Sequence, residues 1–264
     1  MAPDVSITRD VTFRETDAGS LALDVYEPTD GTDRPAVVFL YGGEWRGGQK
    51  GRFARWAVSF ADRGYVCIEP TYRLADETTL QGMVTDVKTA IAWVRANASE
   101  WGVDPDRIAV AGHSAGAHLA VLAATTPDRD ETAPDGVEAS PEVAAAIGFS
   151  GVYDLRGGTE ASEGGGDDGL DIIGGTGDKR ERRAAAVSPV VHVEPETPPT
   201  FLAHAHDDGI VPVAASEQLV GVLQKEGRPV TTFFPETGGH EFLFSTWSVA
   251  ETMDRTADFL ETSL

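Results

Sequence analysis

Cysteine is almost absent: Cys67 is the one such residue in 264. That excludes an internal disulfide and any metal site built from several thiolates. Lysine is scarce as well. Lys50, Lys88, Lys179 and Lys225 are four of 21 basic residues, set against 43 acidic ones. The resulting formal charge of −22 repels nucleic-acid phosphate and anionic lipid, so neither is an expected partner. No apolar run approaches the roughly 20 residues that a membrane-spanning helix needs. The opening MAPDVSITRD lacks the basic and apolar segments of a secretory signal, so a cytoplasmic location is expected. A lysine-poor acidic surface suits a high-salt cytoplasm, where dense counterions screen self-repulsion, and the composition reads as halophilic.

What is there is a globular pattern, with 41% hydrophobic residues and strand signals alternating with helix signals over most of the chain. Val5–Thr16 and Leu21–Glu27 are expected to form an antiparallel hairpin across Asp17-Ala18-Gly19-Ser20. PAVVFLY (35–41), Tyr65–Ile68, Arg107–Ala111, Val143–Phe149, Thr200–Ala205 and Val230–Phe234 are short apolar runs, as expected of strands buried on both faces. Between them lie helical spacings: one around Phe53, Trp56, Ala57 and Phe60, then Leu80–Ala98, Ala115–Ala124, Val213–Gln224 and about Thr246–Leu260. Asp104-Pro105-Asp106 is expected to turn the chain into the Arg107 strand. The expected fold class is α/β, a mostly parallel sheet of about eight strands with helices on both faces, in a single domain over 1–264. Residues 156–178, rich in glycine and acid, break the rhythm and read as a surface excursion or lid.

The strand Arg107–Ala111 runs into Gly112-His113-Ser114-Ala115-Gly116, with a helix at once behind it. This is G-x-S-x-G in the strand–turn–helix setting that gives the motif meaning. Gly112 and Gly116 let the strand and helix backbones pass closely, which presents the Ser114 hydroxyl as a candidate nucleophile. The Ala115 N–H, at the helix start, is one candidate oxyanion donor. The partners of such a serine follow in the order acid, then histidine. Asp207 and Asp208 both lie at the end of the Thr200–Ala205 strand, where such sheets place their sites. The Gly238-Gly239-His240 loop follows the last strand and offers His240 as general base. Gly42-Gly43 after the first buried strand suits the second half of an oxyanion hole, with Gly43 and Glu44 as donors. His113 and His118 flank the elbow and are expected to line the pocket or pack beside it, whereas His192 and His204 read as structural.

With these residues in place the chain resembles the α/β-hydrolase superfamily over nearly its whole length. It is most similar to small esterases of the hormone-sensitive-lipase-like group, in the branch of feruloyl and acetyl-xylan esterase-like proteins. The matching stretches are PTYRLADETTLQGMVTDVKTAIAWVRANASEWGVDPDRIAVAGHSAGAHLA, VSPVVHVEPETPPTFLAHAHDDGIVPVAASEQL and GGHEF. The resemblance implies an α/β-hydrolase fold, with Ser114 as nucleophile and His240 as base. Through the family's D-x-x-V-P segment, here Asp208-Gly209-Ile210-Val211-Pro212, it implies Asp208 rather than Asp207 as the acid. It also implies chemistry without a cofactor or metal, on a small-molecule ester, by a monomer or homodimer. The GHSAGAH elbow and the Gly42-Gly43-Glu44-Trp45 loop are similar to arylformamidases as well. One position departs: Tyr41 stands where the family loop has histidine, so a phenol hydroxyl is expected to order that loop from another place.

Four functional readings follow. The leading one is a serine hydrolase of short-chain acyl or aryl carboxylic esters. The second keeps the scaffold and changes the bond, as an N-formylkynurenine-cleaving arylformamidase. The third takes His204-Ala205-His206-Asp207-Asp208 as metal ligands, but the Asp-His step that usually follows H-x-H is missing. The fourth is a non-catalytic binding protein on a hydrolase fold. A dinucleotide or P-loop site is excluded, because no strand-to-helix turn carries the required glycine spacing.

Overall fold

The computed structural model describes residues 4–156, 172–174, 176–246 and 248–264. Among the described residues eight strands form the sheet: β1 (Val5–Thr16), β2 (Gly19–Pro28), β3 (Arg34–Leu40), β4 (Val66–Pro70), β5 (Val103–His113), β6 (Ala145–Phe149), β7 (Thr200–Ala203) and β8 (Val230–Phe233). They lie in the order β1-β2-β4-β3-β5-β6-β7-β8. β1 and β2 form the expected antiparallel hairpin, and β2 also runs antiparallel to β4. From β4 to β8 every pairing is parallel.

Burial on both faces explains the unbroken apolar runs of the central strands. In β3, Ala36, Val38 and Leu40 enter one core, while Val37 and Phe39 enter the other. β5 divides likewise, Ile108 and Val110 on one side and Ala109 and Ala111 on the opposite side. The first core is closed by α2 (Leu80–Ala96) and α3 (Ala115–Thr125), which contribute Met83, Val87, Ile91, Leu119 and Leu122. The second is closed by α1 (Ala54–Asp62) and α6 (Val249–Ser263), with Trp56, Phe60, Met253 and Leu260. A smaller cluster seats α5 (Ala214–Lys225) through Leu219 and Leu223 against Leu202 and Tyr153. Every residue of α3 is buried, so its run of alanines reflects close backbone approach rather than one apolar stripe.

Three sequence expectations are adjusted. Asp104-Pro105-Asp106 lies within β5, not before it. Arg34 pairs with Val103 and Ala36 with Ile108, so two steps along β3 match five along β5. The Asp104 carboxylate accepts from the Asp106 N–H at 3.0 Å and from Arg107 Nε at 2.7 Å, which stabilises that bulge. A further helix, α4 (Gly177–Ala186), was not expected and begins within the 156–178 segment. Its sequence, GDKRERRAAA, buries only Ala184 within the helix and therefore carries no apolar period. Residues 157–171 and 175 of that segment lie outside the described residues. The last helix starts at Val249, after a short 3₁₀ turn over Phe242–Phe244.

One buried carboxylate ties the first core to the segment behind the site. Asp86 on α2 has a fully buried side chain. It accepts from Arg73 Nε and Nη2, both at 2.9 Å, from the Arg73 N–H at 3.0 Å, and from Arg14 of β1. Removing one partner of such a group leaves buried charge uncompensated, which costs about 3–5 kcal/mol. Asp86→Leu is therefore expected to lower unfolding free energy by about that amount. The measurement is urea denaturation followed by circular dichroism, and a midpoint equal to wild type would contradict it.

Candidate active site

β5 delivers Ser114 into a backbone conformation that L-residues rarely adopt, φ 54° and ψ −120°. The strain, typically about 1–3 kcal/mol, survives where the surroundings over-determine it. Here the Ser114 N–H donates to the Phe149 carbonyl at 2.9 Å, and the Ser114 carbonyl accepts from His118 N–H at 3.1 Å. The flanking glycines are sterically required. A Cβ on Gly112 would stand 2.2 Å from the Gly116 carbonyl oxygen, and one on Gly116 would stand 2.3 Å from that of Leu40. Ala115 is the first residue of α3, so its N–H has no intrahelical acceptor.

Asp208 and His240 meet beside this turn. His240 Nδ1 donates to Asp208 Oδ2 at 2.8 Å, while Asp208 Oδ1 accepts from the N–H groups of Ile210 at 2.8 Å and Val211 at 2.9 Å. Burial alone would push the Asp208 carboxyl up. The hydrogen bonds from His204, His240, Val211 and Ile210 outweigh it and hold the group well below the usual carboxylate range. Asp207 is exposed and does different work, accepting the Gly239 N–H at 2.8 Å and so bracing the Gly-Gly-His loop. Gly238 at φ 143° and Gly239 at φ 64° give that loop its reversal. His113 Nε2 donates to the His240 carbonyl at 2.9 Å, which fixes the backbone that carries the imidazole. Burial first, and then the adjacent His240, lowers His113 to about 4.

The glycine loop after β3 is anchored by two tyrosines. The Tyr41 hydroxyl donates to the Tyr72 carbonyl at 3.2 Å, and the Tyr72 hydroxyl donates to the Tyr41 carbonyl at 2.7 Å. Their rings stack with centroids 4.4 Å apart. Gly43, Glu44 and Trp45 follow with φ 127°, 56° and 59°, and the Gly43 carbonyl accepts from the Arg46 and Gly47 amides at 3.0 and 2.9 Å. Trp45 Nε1 donates to His118 Nδ1 at 3.1 Å, and His118 Nε2 donates to the Val187 carbonyl at 2.7 Å. Burial lowers His118 to about 4, so it is a neutral strut beneath the loop.

A cavity of about 550 Å³ opens over these elements, lined by Tyr41, Gly43, Glu44, Gln49, Arg52, His113, Ser114, Ile210, His240 and Glu241, among others. Arg52 pairs with Glu241 across it and lies over the Phe244 ring, 4.0 Å from the centroid. Ser114, His240, Gly43 and Glu44 thus share one cavity, with Asp208 behind His240 and Ala115 behind Ser114. The H-x-H pair does not converge. His204 is buried against Asp208 and Ser216, whereas His206 is exposed beside Phe234. Sequence reading missed Tyr72, Arg52 and Glu241, because no motif spacing links them to the elbow.

A family model described as BD-FAE matches residues 23–223. The chain belongs to the BD-FAE family. This BD-FAE chain is 36% identical over 197 residues to a probable carboxylic ester hydrolase, LipM, of Mycobacterium tuberculosis, covering 72% of this chain and 45% of that protein. It is 30% identical over 231 residues to the esterase LipQ of the same organism, covering 83% and 53%. The chain therefore spans about half the length of the curated relatives it matches. Among solved structures it superposes on esterase 2 of Thermogutta terrifontis with propionate bound. The TM-score is 0.82 at 30% identity, covering 99% of this chain and 95% of that one. The architecture is that of the α/β-hydrolase esterases.

The reciprocal tyrosine pair generates a direct expectation. Tyr41→Phe removes one donor and leaves a buried carbonyl without it, which costs about 1 kcal/mol. The urea midpoint should fall correspondingly at unchanged slope, and an unshifted midpoint would mean that the hydroxyl contributes nothing to holding the loop.

Proposed function

We propose that this BD-FAE chain hydrolyses small carboxylic esters, with Ser114 as nucleophile, His240 as general base and Asp208 as the acid that orients it. The observation that carries the reading is the 2.8 Å bond from His240 Nδ1 to Asp208, made by the histidine that lines one cavity together with Ser114. A proton fixed on Nδ1 leaves Nε2 free to accept the serine proton. Ser114 Oγ then adds to the acyl carbon, and the oxyanion formed is stabilised by the N–H groups of Ala115, Gly43 and Glu44. The imidazolium of His240, balanced by ionised Asp208, returns its proton to the departing alcohol. Water deprotonated by the same imidazole next attacks the acyl-serine and releases the acid, restoring Ser114.

Cavity size and charge narrow the substrate. About 550 Å³ suits a short acyl group with a modest alcohol. Glu241 at its wall is paired with Arg52, and the Glu44 carboxylate disfavours anionic acyl groups. The relatives' printed names point the same way, toward carboxylic esters. A second reading, cleavage of an N-formyl aryl amide, is favoured by one contact. The Trp45–His118 hydrogen bond joins the two segments that are similar to arylformamidases.

The expected outcomes are definite. A fluorophosphonate probe labels the wild type and not Ser114→Ala, and turnover of p-nitrophenyl acetate falls at least about a thousandfold in that variant. Labelling of both proteins would remove Ser114 from its role. Turnover of N-formylkynurenine exceeding that of p-nitrophenyl acetate and butyrate would favour the amide reading.

A further inference from the structure

We propose that His204 is a positioning residue for this hydrolysis: it shares the Asp208 oxygen that orients His240, and so fixes the carboxylate and moderates its pull on the imidazole. The proposal rests on the roles given above to Ser114, His240 and Asp208.

His204 follows β7 directly and is wholly buried, with its N–H donating to the Phe233 carbonyl of β8 at 3.1 Å. Nε2 lies 3.0 Å from Asp208 Oδ2 and 2.8 Å from the Val211 carbonyl, and both of those are acceptors. The proton is therefore on Nε2, shared between them. Nδ1 shares a hydrogen bond with the Ser216 hydroxyl of α5 at 2.8 Å. A ring satisfied at both nitrogens is thus clamped between α5 and the loop after β7.

The count of hydrogen bonds at Asp208 gives this clamp a chemical consequence. A carboxylate offers about four in-plane lone-pair sites. The amides of Ile210 and Val211 take two on Oδ1, and His204 takes one on Oδ2. A single direction remains for His240, which occupies it at 2.8 Å. Without His204 the amides still hold Oδ1, but Oδ2 keeps His240 as its remaining partner, and more of the carboxylate charge falls on that imidazole. The imidazolium is then favoured before substrate reacts, so the acid limb of the pH profile moves upward. Other groups near the relay are Tyr153 beside Ser216, His113 beside His240, exposed Asp207, and the exposed Arg52–Glu241 pair. Burial holds Tyr153 far up and His113 at about 4, so neither contributes a limb near neutrality.

The experiment compares wild type with His204→Leu, which has no donor, and His204→Gln, whose amide N–H reaches about as far as Nε2. Profiles of kcat/KM against pH are measured on p-nitrophenyl acetate. In His204→Leu, kcat is expected to fall about ten- to a hundredfold with KM nearly unchanged. The acid limb should rise by about half a unit or more. His204→Gln should restore the limb. A folded His204→Leu with the wild-type limb, or equal behaviour of Leu and Gln variants, overturns the proposal. If His204→Leu fails to fold, Ser216→Ala decides: losing the clamp at Nδ1 should move the limb in the same direction, and an unmoved limb overturns the proposal. Ser114→Ala, run alongside, separates the two failures. An active Ser114→Ala overturns the triad roles as well, whereas an inactive one with unmoved His204 profiles overturns only the role of His204.

Discussion

The site depends on one close approach of backbones. Gly112 and Gly116 bring β5, α3 and the end of β3 within carbonyl distance of one another, and no side chain fits between them. Ser114 reverses the chain there at a left-handed φ. Ser114 lines the cavity, and the helix start follows it directly. The strain is local and its support is not: the Phe149 carbonyl of β6 takes the Ser114 N–H, and the wholly buried α3 packs the turn from below. A strand buried on both faces is what makes so sharp an exit possible, since neither β3 nor β5 can shift without disturbing two cores.

Around this turn the supporting groups are almost all uncharged. His113 and His118 are held at about 4, mainly by burial. Burial pushes Tyr41 up to about 12, and Tyr72 well above its ordinary range. The glycine loop after β3 thus stands on hydrogen bonds whose donors do not titrate near neutrality. Tyr41 has that property, and its anchor is the segment around Tyr72. Asp86 in turn secures that segment through the adjacent Arg73. Beside the turn itself the buried carboxylate is Asp208, and the Arg52–Glu241 pair stands exposed at the cavity wall.

Much of this was legible in the residues, and for identifiable reasons. Runs such as PAVVFLY report burial on both faces, and glycine spacing reports backbone approach, so the sheet and elbow could be read locally. The choice of Asp208 over Asp207 needed the D-x-x-V-P resemblance. The two are neighbours in sequence, and only the fold shows that Asp208 meets His240 while Asp207 meets Gly239. The helix α4 left no period to detect, having one buried residue within it. The bulge in β5 looked like a turn because Asp104 forms the same side-chain contact in either setting. The tyrosine stack, the Arg52–Glu241 bridge and the His204 clamp all join segments far apart in the chain. Spacing along a sequence carries no trace of such contacts.

The two rims of the sheet differ from its middle in a way that bears on behaviour at high concentration. β1, the outermost strand on one side, changes register twice against β2, between Thr8 and Val11 and between Thr12 and Arg14, with Asp10 at φ 57°. β8, on the other side, spans only Val230–Phe233 and shows Thr231 and Thr232 to solvent. A ladder that is twice interrupted, or four residues long, offers a poor template for a strand from another molecule. The flanks of this sheet therefore resist the edge-to-edge aggregation that long, flat, apolar strands invite.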